Sequence, residues 1–282
     1  MRLGPLSVFV AATTAALSVA TGSVQSSPDA AHATKGFVSV AGHRMYYECS
    51  GAGSPTVVLD AGSPDTSTSW RWVQPQIAGM TRVCAYDRAG LGHSAAAPPA
   101  RRTAKTQVDE LRLLLKAARI PPPFVVIGHS WGGLLARIFA HAYPRETAGV
   151  VLVDATTFPY LTPETAARLP RKTNREGINL AATIAESDAI KTLGAIPLIV
   201  LGSNKPPLDA KLRVAQDEEA ALSTNSIDAI ANRSTHYIQR PAPTGQPQVV
   251  VTAVRAVLTA VRAHGNLPPC HRLFAKDAVT CR

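Results

Sequence analysis

At 282 residues, 46% of them hydrophobic and 17% charged, the chain can bury the core of one large domain with a small insertion, which excludes disordered, fibrous and polytopic classes. The formal net charge is +10, a balance that favours anionic surfaces such as envelope polymers or lipid headgroups. The basic residues are nevertheless scattered, with no basic helix and no aromatic interleaving, so nucleic acid is not an expected partner.

Met1-Arg2 followed by the uncharged apolar run 3–20 reads as the start of a secretory signal, cleaved after Ala20 or after Ala33. An uncleaved membrane anchor is the competing reading, although the run barely reaches spanning length and contains Gly4-Pro5. Export is expected. Removing residues 1–33 deletes Arg2 and Asp29 and leaves the charge at +10. A hairpin is predicted over 37–40 and 44–47, then a buried strand over 56–60 that exits through Ala61-Gly62-Ser63-Pro64-Asp65. A helix near 69–75 leads to a strand at 82–86, which runs into Asp87-Arg88-Ala89-Gly90-Leu91-Gly92-His93-Ser94. Val108, Leu111, Leu114, Leu115 and Ala118 form a helical stripe that the three prolines at 121–123 end.

Next come an apolar strand at 124–127, the turn Gly128-His129-Ser130-Trp131-Gly132-Gly133, and a helix that Pro144 stops. Gly-x-Ser-x-Gly between a strand and a helix fits a nucleophile elbow. Small flanking residues let the backbone bend sharply, lifting the Ser130 hydroxyl above a sheet and aiming the first helical amides at it. An ordinary glycine-rich turn is the plain alternative. Beyond it lie strands at 150–153 and 196–201, separated by about forty residues, more than a crossover helix requires. That link has helical stretches near 163–169 and 177–190. A polar helix at 210–222, a short strand at 227–230 and an amphipathic helix at 248–263 complete a pattern of strands alternating with helices, which implies a mainly parallel sheet.

With the elbow in this context and Asp87, Gly90, Gly92 and Ser94 spaced as a second signature, the chain from about 35 to 264 resembles the α/β-hydrolase superfamily. The resemblance implies an α/β fold: a mainly parallel eight-stranded sheet, helices on both faces and a small helical lid at about 155–195. The layout would be signal and linker at 1–33, the hydrolase domain at 34–264 and a tail at 265–282. It implies oxyanion donors in the backbone amides of Ser63 and Trp131, with Ala61 standing where the family usually has histidine. Asp87 and Arg88 would cap and pair in a loop that braces the elbow. His236, in the loop after the last strand, would be the base, while the His129 side chain would point away toward the oxyanion side. For the acid, Lys205 occupies the usual aspartate position. Some members, haloalkane dehalogenases among them, instead take it from the end of the preceding strand, where Asp154 stands; Asp209 is the alternative, and a strand-ending aspartate without a role is the plain reading of Asp154.

The implied chemistry is a serine hydrolase acting through an acyl-enzyme, carboxylic esters being the default substrates. A serine nucleophile disfavours the dehalogenase and epoxide-hydrolase branches, which need aspartate there; peptidase, thioesterase and perhydrolase activities stay open. No cofactor is implied, and no Cys or His lies at metal-ligand spacing from another. A non-catalytic binding protein on the same fold is the rival, motivated by Ala61 and Lys205. The four cysteines suit two disulfides in an exported protein. Cys270 with Cys281 would close a short loop in the tail, and the resemblance makes the strands of Cys49 and Cys84 neighbours, with free buried thiols as the alternative for that pair.

Overall fold

A computed structural model describes residues 1, 4, 33–99, 101–158, 175–204 and 210–282. The expected signal, the helical stretch at 163–169, Lys205 and Asp209 lie outside the described residues. Residues 31–282 form one compact unit. Its strands are β1 (Thr34–Val40), β2 (His43–Ser50), β3 (Thr56–Asp60), β4 (Val83–Tyr86), β5 (Phe124–His129), β6 (Thr147–Val153), β7 (Leu198–Ser203), β8 (Ser226–Ala231) and β9 (Val279–Cys281). Its helices are α1 (Gln74–Ala78), α2 (Ala104–Ala117), α3 (Trp131–Ala142), α4 (Leu180–Asp188), α5 (Ala210–Ala220), α6 (Pro247–Ala263) and α7 (Cys270–Leu273), and a 3₁₀ turn spans Ser67–Trp70.

The strands form one sheet in the order β1-β2-β4-β3-β5-β6-β7-β8-β9, parallel from β4 to β8 and antiparallel at both edges. Strands buried on both faces must be apolar at every position, and β3, β5 and β6 are nearly so. Because successive side chains alternate faces, Val58, Val126 and Leu152 pack with Leu111 and Leu114 of α2 and Leu134 and Phe139 of α3. Val57, Val125, Ile127, Val151 and Val153 pack on the other face with Ile77 of α1 and Val250, Val254 and Val257 of α6. The α/β-hydrolase expectation of helices on both faces therefore holds.

The sheet has nine strands rather than eight. The extra one is β9, from the tail. Phe274 there is buried among Val249, Val250 and their neighbours, and β9 pairs antiparallel with β8. Both expected disulfides form: Cys49 lies directly opposite Cys84 across β2 and β4, and Cys270 is joined to Cys281.

Candidate active site

Strand order decides where a site can lie. The chain leaves β3 toward β4 and returns to place β5 on the other side of β3, so the loops at the carboxyl ends of β3 and β5 diverge and open a crevice. Register then aligns the chemistry along that edge. Asp60 sits opposite Gly128, His129 opposite Val153, Val153 opposite Leu201, and Ser203 opposite Ala231. The next residues on these parallel strands, Ser130 and Asp154, are consequently neighbours, and the loop carrying His236 follows β8.

Ser130 sits at φ 51°, ψ −118°, a backbone conformation that costs a non-glycine residue on the order of 1–3 kcal/mol and persists only where packing imposes it. Here Gly128 lies against the Gly132 carbonyl, and Gly132 against the carbonyls of Asp60 and Ala61, so neither position has room for a Cβ. Ser130 is the N-cap of α3 but its side chain makes no cap bond. The Trp131 and Gly132 amides precede the first intrahelical bond, Gly133 N–H to the Ser130 carbonyl, and open toward the crevice end of the helix. Gly62 is packed so closely that a Cβ there would stand 3.2 Å from Ser130 Cβ, which sets the loop bearing Ser63 beside the serine.

Asp154 is also left-handed, at φ 42°. Its Oδ1 accepts from the Ser203 amide at 2.8 Å, while Oδ2 accepts from Ser203 Oγ at 3.1 Å and faces His236 Nδ1 at 2.6 Å. Ser203 thus occupies the strand whose end carries the acid in most family members, and both its amide and its hydroxyl hold the carboxylate of Asp154 on the strand before. The His236 loop is pinned by the Thr235 amide to the Thr244 carbonyl and by the Arg233 amide to Gln246 Oε1. The Ser130 hydroxyl is paired with Thr156 Oγ1 at 3.4 Å rather than with the His236 ring. The structure therefore brings Asp154 and His236 into contact and sets Ser130 on the adjoining strand end with its hydroxyl turned to Thr156.

His129 is buried and its ring lies against Gly62, where an added Cβ would stand 2.8 Å from its Nδ1. Its Nε2 lies 2.7 Å from the His236 carbonyl, which can only accept, so Nε2 carries a proton. Burial first, then the neighbouring His236, push its pKa down to about 3. The ring thereby ties the nucleophile turn to the loop of the candidate base.

Asp87 braces its loop as expected, accepting from the Ser67 and His93 amides at 2.8 Å each. It does not pair with Arg88. Arg88 turns inward instead, because its fully buried guanidinium finds acceptors for all its N–H groups there: Asp60 Oδ1, the Ala61 and Gly62 carbonyls, and both carboxylate oxygens of Glu176. Burial pushes the Asp60 carboxyl up to about 6 even with Arg88 and the Tyr86 hydroxyl bound to it. For Glu176, burial works against ionisation, but the Arg88 charge and the hydrogen bonds from Arg88 and Ser63 outweigh it and hold that carboxyl below its usual range. A cavity of about 900 Å³ lined by Arg137, Phe158, Ser187, Lys191, Val214 and Glu218 includes none of the residues of the serine centre. Among the described residues no cluster of His, Cys, Asp and Glu is arranged to hold a metal ion.

Comparison with known proteins gives this arrangement a context. A family model for the α/β hydrolase fold matches residues 55–178, the span from β3 through the turn at Ser130 and the Asp154 strand. The uncharacterized protein YqjL of Bacillus subtilis is 30% identical over 192 residues, covering 65% of this chain and 74% of its own length. Among solved structures, the epoxide hydrolase CorEH superposes with a TM-score of 0.62 at 20% identity, covering 82% of this chain and 100% of that one. A thermophilic esterase from Thermogutta terrifontis gives 0.61 at 22% identity, covering 81% and 99%. These last two likenesses concern the fold alone. Sheet order, elbow geometry and matched residues agree, and the chain belongs to the α/β-hydrolase superfamily.

Proposed function

We propose that the protein is an exported serine hydrolase that cleaves carboxylic esters through an acyl-enzyme. The observation that carries this reading is the 2.6 Å contact between His236 Nδ1 and Asp154 Oδ2 on the strand end beside Ser130. A carboxylate on Nδ1 keeps the proton there and leaves Nε2 free to accept one. This chemistry requires the Ser130 side chain to turn away from Thr156 toward that nitrogen, and such bonds are commonly loose before substrate binds.

Ser130 Oγ attacks the ester carbonyl as its proton passes to His236, and the oxyanion is held by the Ser63 and Trp131 amides. His236 returns the proton to the departing alcohol, the C–O bond breaks, and the acyl group stays on Ser130. Water, deprotonated by His236, then attacks the acyl carbon; the acid leaves and Ser130 regains its proton. A serine where epoxide hydrolases and dehalogenases of the family need aspartate supports this reading. Both disulfides support export, being stable in oxidising compartments, and no helix among the described residues is long and apolar enough to cross a membrane. The basic net charge would favour a weak association with an anionic envelope, which salt should weaken.

The test is labelling with a fluorophosphonate probe beside Ser130→Ala, together with p-nitrophenyl esters of graded chain length and matched thioester and peptide substrates. Ser130-dependent labelling with ester turnover is expected. A folded protein that binds esters but shows no serine-dependent turnover would move the reading to a binding protein.

A further inference from the structure

Both residues whose amides would hold the oxyanion have side chains fastened to one buried carboxylate. Ser63 Oγ donates to Glu176 Oε1 at 2.6 Å. Trp131 Nε1 donates to Gln107 Oε1 at 2.8 Å, and the Gln107 amide donates in turn to Glu176 Oε2 at 3.1 Å. Arg88 adds Nε to Oε2 at 2.6 Å and Nη2 to Oε1 at 3.2 Å. The remaining Arg88 donors hold Asp60 Oδ1 and the backbone carbonyls of Ala61 and Gly62, the two residues preceding Ser63.

Glu176 belongs to neither the β3 exit nor α3. It lies in the link between β6 and β7, where the stretch 175–179 is fixed to the body of the domain by backbone contacts. Arg102 Nη1 donates to the Glu176 carbonyl at 2.7 Å, the Arg102 amide donates to the Gly177 carbonyl, and the Asn179 amide donates to that of Arg102. Arg175 crosses directly over Gly90, where its carbonyl leaves no room for a Cβ. A carboxylate 1% exposed with four donor groups on its two oxygens has its lone pairs filled and little freedom to move.

From this geometry we infer that Glu176 is a positioning residue for the oxyanion hole: through Ser63 on one side and Gln107–Trp131 on the other, it fixes the separation of the two amides that receive the developing negative charge. The inference rests on the hydrolase reading above. Preorganised donors act through placement, and displacement on the order of 1 Å costs rate without weakening ground-state binding. Arg88 contributes differently. It bridges Glu176 and Asp60 and holds the carbonyls of Ala61 and Gly62, so the loop preceding Ser63 is fastened to both carboxylates through one cation.

The experiment compares wild type, Glu176→Gln, Ser63→Ala and their double variant, with active sites counted by fluorophosphonate titration so that kcat refers to folded, competent enzyme. Ser63→Ala keeps the Ser63 amide and removes only its hydroxyl. Expected are a fall in kcat of about tenfold to a hundredfold for Glu176→Gln, a smaller fall for Ser63→Ala, and KM within about twofold for both. The double variant should be no worse than Glu176→Gln, since the two act on one contact. Inhibition by phenylboronic acid, whose tetrahedral adduct on the serine mimics the intermediate, should weaken in step with kcat. A merely structural Glu176 would lower the melting temperature and the titrated fraction while leaving kcat per site and boronate affinity unchanged, and that result overturns the proposal. Additive effects in the double variant also overturn it, because Ser63 Oγ would then be acting on its own. If Glu176→Gln does not fold, Ser63→Ala and Gln107→Met each sever one arm with the Arg88–Glu176 pair intact, and normal kcat in both refutes the inference. Absence of any Ser130-dependent turnover in wild type would instead sink the hydrolase reading, and this inference with it.

Discussion

Replacing Asp154 by Asn tests the acid assignment with little change of shape. The carboxylate receives three contacts: the Ser203 amide on Oδ1, and Ser203 Oγ and His236 Nδ1 on Oδ2. In Asp154→Asn the side-chain oxygen can still accept from the Ser203 amide, and Ser203 Oγ can reverse to accept from the new amide nitrogen, so the strand end keeps its bonds and the fold should survive. At His236 no such exchange is harmless. An NH₂ facing Nδ1 turns that nitrogen into an acceptor and moves the ring proton to Nε2, where the base must be empty. The same substitution in a serine triad costs roughly 10⁴ in kcat, equivalent to about 5.5 kcal/mol of transition-state stabilisation. The assay is kcat and KM on a p-nitrophenyl ester beside thermal melting. We expect kcat to fall by about three to four orders of magnitude, with the melting temperature near that of wild type. A loss below about tenfold in a folded variant, or a larger loss in Asp209→Asn, would refute the role given to Asp154.

Gly132→Ala places a methyl group on the Asp60 carbonyl and 2.6 Å from that of Ala61, so the loop leaving β3 must move; expression with little activity, or no folding at all, is the expected outcome of purification and assay. Replacing Cys49 and Cys84 by Ala removes a link 35 residues apart in sequence, worth about 3.8 kcal/mol by loop-closure entropy, against about 2.8 kcal/mol for Cys270 and Cys281, 11 apart; urea unfolding of the two double variants should rank them in that order. Glu219, fully buried beside Arg137 at 3.2 Å, is pushed up to about 7 by burial, with Arg137 offsetting part of this and Asp154 and Asp228 adding to it. A carboxyl whose folded pKa is raised stabilises the fold below its unfolded value near 4.3 and loses that contribution as pH climbs through 7. Glu219→Gln should therefore flatten a fall in stability on the order of 2 kcal/mol between about pH 5 and pH 8, read by urea unfolding at the two pH values.

Ser130 and His236 could be singled out as candidates because each sits in a local pattern with its own mechanics, a glycine-flanked strand-to-helix turn and a loop after the last parallel strand. Asp154 was legible only as one of two candidates. What favours it is register, His129 opposite Val153 and Val153 opposite Leu201, and register is a relation between segments that no single window of sequence contains. The same limit hid the partners of Arg88. Adjacency suggested Asp87, yet the carboxylates it binds lie 28 and 88 residues away. Ser203 was visible as the residue after Gly202, but its hold on Asp154 depends on β7 running beside β6. The ninth strand was not read from sequence because β9 is three residues long, too short to show an alternating pattern, and the deeply buried side chain of the tail, Phe274, comes from the turn before it.

That short strand has a consequence for assembly. β8 would otherwise present a row of open backbone donors and acceptors at the rim of the sheet, a surface on which strands of other molecules can add. Three residues of β9 cover it, fastened at one end by the Cys270–Cys281 bond and supported by Phe274. Replacing Cys270 and Cys281 by Ala should therefore loosen the cover while the Cys49–Cys84 bond stays in place, and self-association in size-exclusion chromatography is the expected outcome.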